Sequence, residues 1–302
     1  MMKNTKKMSR NFVRRALARR HPFVPQNRVI LDAQKLRQNF QILRQRVAAT
    51  PLPVVKSNSY GHGLREVVQV LEQEDFPMRA VDSFPEFQIV KSLSKKKILV
   101  MGETAPENYR FWDHKIVELA VGSWPVLRAL AASGRPRKIH LFVQTGMQRE
   151  GRDLAEFGEV LDFVRRAKNL AVTGLMSHCH SGDRNSVENQ LAVFGKFLAQ
   201  VRAAGRDPAR VHLGASKSQH WVEEILGKNS WVTAWRPGSA LRGHRGAGEE
   251  KLEIFLGTGA VLRVESAVGR IRKIAAGAGV GYDQAWVAPA ESWIAVVPRG
   301  YA

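Results

Sequence analysis

The sequence predicts an α/β protein, a (β/α)8 barrel over residues 27–250 followed by the start of an all-β domain over 251–302. Two observations carry this. Short, near-continuous apolar runs alternate with amphipathic segments of helical period, the pattern of a parallel sheet covered on both faces. After about residue 250 the helical period stops, and apolar and polar residues alternate between glycine turns instead.

In chain order, NRVILDA reads as a strand and KLRQNFQILRQRV as a helix, with Leu36, Phe40 and Leu43 on one face. PLPVVKSNS is a strand before the helix LREVVQVLEQ, and RAVDS a strand before EFQIVKSL. KKILVMG and KIVELAVG follow as strands, the second before the helix PVLRALAAS. RKIHLFVQT precedes DLAEFGEVLDFVRRA, and LAVTGLMSH precedes SVENQLAVFGKFLAQVRAAG. ARVHLGAS precedes QHWVEEIL. About eight such units favour a closed barrel over a doubly wound sheet. The last segment, GAVLRVESAVGRIRKIAAGAGVGYDQAWVAPAESWIAVVPRGYA, opens the β domain.

Residues 1–26 form a basic arm, with no acid before Asp32. A secretory signal needs an apolar core after its basic start, and FVRRALARRHPF interrupts that with arginines, so a cytoplasmic location is expected. No apolar run suits a membrane span. Cys179 is the sole cysteine, which excludes an intramolecular disulfide and suits a reducing compartment. The net charge of +20 raises the question of nucleic acid. Aromatics are not interleaved with the arm's arginines and no zinc-finger or RNP-like pattern is present, so no specific nucleic-acid partner is expected.

Barrel enzymes carry their chemistry at the C-terminal ends of strands. Lys56 ends the run PVVK, where a partly desolvated amine is a better imine former, although the position equally suits a snorkelling lysine. Arg149 and Arg236 read in isolation as ordinary ion-pair arginines, Ser216 as a helix N-cap and Tyr282 as a turn residue. His178 and His180, two apart, invite a metal reading with Asp183, but no carboxylate or carbamylated-lysine ligand is evident, so no metal is expected.

The full string VVKSNSYGHG resembles the VVKANAYGHG signature of the alanine racemase family. Further matches follow in the family's order: QTGMQREG to DTGMGRLG, LMSHCHSGD to the THFATAD region, HLGAS to HxANS and WRPGSALRG to RPGIALYG. VGYDQAW and VPRGYA are similar to VGYGxxY and the opening of IPIGYADG. The resemblance covers Asn27 to Ala302 and keeps the family's separations. It implies pyridoxal 5'-phosphate held covalently by Lys56, with Tyr60, His178, Ser216, Arg236, Gly238 and Ser239 as cofactor contacts. Ser216, Gly238 and Ser239 would hold the phosphate and Arg236 the pyridine nitrogen. Arg149 and Tyr301 would contact substrate, and Lys56 and Tyr282 would be the two bases, the tyrosine coming from the partner in a homodimer. His178 and Arg149 would be the cations assisting that tyrosine. The implied reaction interconverts L- and D-alanine, supplying D-alanine for peptidoglycan. A broader-specificity racemase and a non-catalytic pyridoxal-phosphate-binding barrel are the alternatives.

The sequence departs from the family's pattern in places. Phe142 stands where a carbamylated lysine commonly precedes the DTGM motif, and Gln144 where that motif has aspartate. Ser57 and Ser59 replace alanines, Ala215 an asparagine and Arg242 a tyrosine. The chain stops at GYA, ahead of later family residues, so a C-terminally incomplete and poorly active enzyme is expected. The apolar faces of VESAVGRI and SWIAVV are expected to be exposed.

Overall fold

The computed structural model describes residues 25–244 and 253–300, in two compact units. One spans Leu31–Leu262; the other joins Met1–Ile30 to Arg263–Ala302. The arm expected over 1–26 lies, apart from Pro25 and Gln26, outside the described residues.

The larger unit is the barrel. Strands β1 (Thr50–Pro51), β2 (Met78–Val81), β3 (Lys97–Val100), β4 (Val117–Val121), β5 (Arg137–Phe142), β6 (Leu170–Met176), β7 (Arg210–His212) and β8 (Ala234–Trp235) follow in chain order. Strands β2 to β7 form one parallel sheet with each strand beside its sequence neighbour. The ring closes because β1 pairs in parallel with β8, Val54 bridges Ala80, and Ala215 bridges Arg236. Helices fill most of the connections, among them α1 (Ala33–Arg46) ahead of β1, α2 (Leu64–Leu71) and α3 (Phe84–Lys91). Later helices are α4 (Trp124–Ala132), α5 (Phe157–Arg166), α6 (Arg184–Ala203) and α7 (Gln219–Leu226). On α1 the buried residues are Leu36, Asn39, Phe40 and Leu43, the expected stripe plus one asparagine. Asn39 uses both ends of its amide, donating to the carbonyls of Leu241 and Gly259 and accepting from the Gly259 N–H.

The eight-stranded barrel is thus present, with one exchange among the expected strands. NRVIL does not enter it; Asn27–Leu31 pairs instead with Leu262–Ser266. The eighth strand is the two-residue Ala234–Trp235, too short to show a period in sequence.

The smaller unit is antiparallel. Arg270–Ile274 pairs with Ser292–Val296, and Gly279–Val280 with Trp286–Val287. Val268, Ile271, Trp293 and Val296 are exposed, as expected for those two segments.

Candidate active site

Lys56 follows the end of the first barrel strand, and the backbone then does something costly. Ser57, Asn58, Ser59 and Tyr60 take φ of 53°, 50°, 55° and 56°, consecutive residues in the left-handed region. L-residues resist this by roughly 1–2 kcal/mol each, so surrounding contacts must hold the turn. Glu86, in the first turn of α3, accepts from the N–H groups of Ser57 (2.6 Å), Asp82 (2.8 Å) and Ser83 (3.1 Å). Asn58 caps α2 by accepting from the Leu64 N–H at 2.8 Å. The far end of the turn is gripped by Arg242, which is buried and donates to Ser59 and to the Val54 and Gly238 carbonyls. The turn aims Lys56 Nζ into the barrel mouth, 3.4 Å from Asp82 Oδ1.

A cavity of about 530 Å³ opens there, lined by Lys56, Tyr60, Arg149, His178, Ser216, Arg236, Gly238 and Ser239 among others. Eight of the ten residues named from sequence therefore share one cavity. Ser216 is buried, and its Oγ accepts from the N–H groups of Gly238 (3.0 Å) and Ala240 (3.1 Å). A Cβ on Gly238 would stand 2.5 Å from the Tyr60 hydroxyl. Gly238→Ala should therefore push Tyr60 aside and cost about 1–3 kcal/mol of stability, measurable by denaturant unfolding. An unchanged midpoint would mean that Tyr60 does not pack there.

Arg236 is buried, and its guanidinium donates to the carbonyls of Ser177, His212 and Leu213 and to Nδ1 of His178 (3.2 Å) and His212. Burial lowers its pKa to about 10, which leaves it charged at neutral pH. Behind it runs a chain of polar groups across the barrel interior. His212 Nε2 lies 2.7 Å from His140 Nδ1, and His140 Nε2 lies 3.0 Å from Glu118 Oε2. A cation at one end forces Nδ1 of His212 to accept, so its Nε2 donates to His140, whose Nε2 donates to Glu118. Both imidazoles are neutral in this arrangement. Burial lowers the pKa of each, helped for His212 by the charge of Arg236. Burial alone would raise Glu118, but hydrogen bonds from His140 and Thr173 and the charge of Arg210 outweigh it, leaving it at about 2. Room for the His140 ring comes from a register shift in β5–β6 that sets Gly174 beside it, where any Cβ would stand 2.4 Å from the ring.

His178 is also neutral. Burial first, then the charges of Arg236, Arg149 and Lys56, lower its pKa to about 3. Arg149 projects from the loop after β5, half-exposed, with an ion pair to Glu150 at 3.4 Å. Phe142 lines the same cavity and offers it no polar contact. Gln144 turns back on its own loop, accepting from the Gly146 N–H at 2.7 Å. Tyr282 lies in the smaller unit with 85% of its surface exposed. Tyr301 falls outside the described residues. Among the described residues, no cluster of three side chains is arranged to hold a metal ion.

Glu118, His140, His212 and Arg242 were not singled out as site residues from sequence. A signal existed for three of them: a charged or imidazole side chain inside the apolar strands KIVELAVG, RKIHLF and ARVHLG, at positions that point inward.

A parallel barrel with a lysine, a buried arginine and a buried imidazole around one cavity at the C-terminal ends of its strands has the architecture of an α/β-barrel enzyme. Residues 31–246 match the alanine racemase N-terminal domain family and residues 261–302 its C-terminal domain family. The alanine racemase of Geobacter sp. strain M21 is 30% identical over 290 residues, covering 91% of this chain and 74% of that one. That of Nostoc sp. strain PCC 7120 is 28% identical over 289 residues, covering 91% and 72%. The crystal structure of alanine racemase from D-cycloserine-producing Streptomyces lavendulae superposes with a TM-score of 0.84 at 25% identity, covering 92% of this chain and 75% of that one. The alanine racemase of Bartonella henselae, crystallised with covalently bound pyridoxal phosphate, shares the fold with a TM-score of 0.79 at 24% identity, covering 91% and 75%. The chain belongs to the alanine racemase family, a family of isomerases.

Proposed function

We propose that this barrel binds pyridoxal 5'-phosphate through Lys56 and interconverts L- and D-alanine, providing D-alanine for peptidoglycan in the cytoplasm. One observation carries the reading: Lys56 opens into the same cavity as Ser216, Gly238, Ser239 and the buried Arg236. The residues fit the cofactor. Arg236 and Arg242 are buried cations without a carboxylate within ion-pair distance among the described residues, a surrounding suited to a phosphate-bearing anion.

Tyr60, Ser216, Gly238 and Ser239 would hold the phosphate, and Arg236 the ring nitrogen. When bound, the cofactor supplies an electron sink that acidifies the substrate's α-hydrogen. Arg236 is too weak an acid to protonate the ring, and its charge is already anchored by His212 and backbone carbonyls. That weaker sink favours return of the proton to carbon, which suits racemisation. Lys56 holds and moves the proton on one face of the α-carbon, and Tyr282 on the other. Arg149, projecting into the cavity mouth, takes the substrate carboxylate, and Tyr301 lines its entry. His178 donates or accepts as a neutral group and steadies Arg236.

The tyrosine is supplied by a partner subunit. The exposed apolar side chains of the smaller unit, including Ile271, Trp286 and Trp293, favour such an association. Appearance of D-alanine from L-alanine in the presence of pyridoxal phosphate tests the activity. Co-expressed Lys56→Ala and Tyr282→Phe chains should regain activity in mixed dimers, because one of the two sites would be intact. Mixed dimers that form and stay inactive would rule out the shared site.

A further inference from the structure

Arg242 is a large, charged side chain with 2% of its surface exposed. It sits in the short 3-10 turn Ala240–Arg242, directly after the Gly238–Ser239 backbone. Its Nε donates to the Ser59 carbonyl at 2.9 Å and one Nη to the Val54 carbonyl at 3.0 Å. Further hydrogen bonds reach the Ser59 hydroxyl and the Gly238 carbonyl. Its guanidinium lies 4.5 Å from the centre of the Tyr60 ring. Every partner is neutral. A guanidinium removed from water without a counter-anion is expensive, and carbonyl hydrogen bonds recover only part of that cost. The side chains and backbone it touches, Tyr60 and Gly238, are two elements of the phosphate cradle. Gly238 in turn donates to Ser216, a third.

We propose that Arg242 is the buried counter-cation of the phosphate cradle, holding Tyr60 and Gly238 in place and attracting the ligand's phosphate from behind them. The proposal rests on the cofactor reading above for the identity of the ligand, and on the geometry alone for its charge. A cation set one layer back favours any phosphate monoester, whatever is attached to it, and favours the dianion over the monoanion. The same side chain ties the left-handed turn after Lys56 to the cradle, so cofactor anchoring and lysine placement share one residue.

A purely structural clamp and a counter-cation differ in what they select. Affinities of the apoprotein for inorganic phosphate, pyridoxal 5'-phosphate and unphosphorylated pyridoxal would be measured for wild type, Arg242→Lys and Arg242→Gln. Arg242→Tyr provides a second neutral side chain if the glutamine variant does not fold. The neutral variants should lose phosphate and pyridoxal phosphate affinity by roughly ten- to a hundredfold, with pyridoxal affinity falling by much less and the lysine variant near wild type. Equal weakening of pyridoxal and pyridoxal phosphate, or unchanged phosphate binding, would overturn the proposal. On wild type alone, the 31P resonance of bound pyridoxal 5'-phosphate should titrate well below the second pKa of about 6 that is ordinary for a phosphate monoester. An unshifted titration, or no phosphate binding at all, would equally overturn it. If phosphate binding depends on Arg242 while no borohydride-reducible adduct forms at Lys56, the cofactor reading fails and the counter-cation stands.

Discussion

Lys56→Ala is expected to abolish racemisation, by more than about 10⁴-fold, because one side chain is both the covalent anchor of the cofactor and a proton-transfer base. Wild-type protein should be yellow, and borohydride reduction should fix a pyridoxyl group on the peptide containing Lys56. The left-handed turn after it points to a lysine whose direction is built in, since four positive-φ residues are retained where an ordinary turn would be cheaper. Adding a free primary amine to the alanine variant should restore a small part of the rate. Recovery of the label mainly on another lysine would refute the assignment. Colourless protein rich in bound zinc would favour a metal at His178 and His180 instead.

Acidification should destabilise this barrel early. His178 and His212 are buried neutral, with folded pKa values lowered to about 3 and well below the ordinary 6.5 respectively. Above pH 6.5 both folded and unfolded chains hold these rings neutral, and nothing is gained or lost. Below it the unfolded chain takes up protons that the native state refuses, so unfolding binds protons and stability falls with pH. For two such rings the loss between pH 7.5 and 5.5 is about 3 kcal/mol, and His140, lowered in the same direction, adds to it. Glu118 behaves differently. Its folded pKa of about 2 lies below the unfolded value, so its contribution is complete above the unfolded carboxylate range and is lost only as pH falls towards 2. Urea midpoints measured from pH 7.5 to 5.5 should fall steadily, and His212→Asn should flatten the curve. A midpoint independent of pH over that range would show that the rings are protonated in the folded protein and that the directional chain from Arg236 to Glu118 is wrong.

Much of the barrel was legible because its strands are buried on both faces. KILV, VELAV and LAVTGLM carry nearly unbroken apolar runs, and the helices between them keep a 3.6 period. Cavity residues were legible wherever a motif follows a strand directly, as Lys56, Ser216 and Arg236 do. NRVIL was misplaced for a physical reason: a strand's composition reports that it is partnered, and says nothing of which sheet it joins. Ala234–Trp235 went unseen because two residues have no period. The charge of His178 was not legible because it depends on burial and on Arg236, 58 positions away.

By itself, then, the sequence determined the order of strands and helices, the change of texture after residue 250, and the string of polar residues at strand ends that identifies the family. It did so because burial and turn geometry impose local, periodic demands on residue type. Only the tertiary structure decided which strands close the ring, which protonation state each buried imidazole holds, and what Arg242 grips. Those depend on contacts between residues such as Ser59 and Arg242, 183 positions apart, and on how much water the fold excludes around each charge.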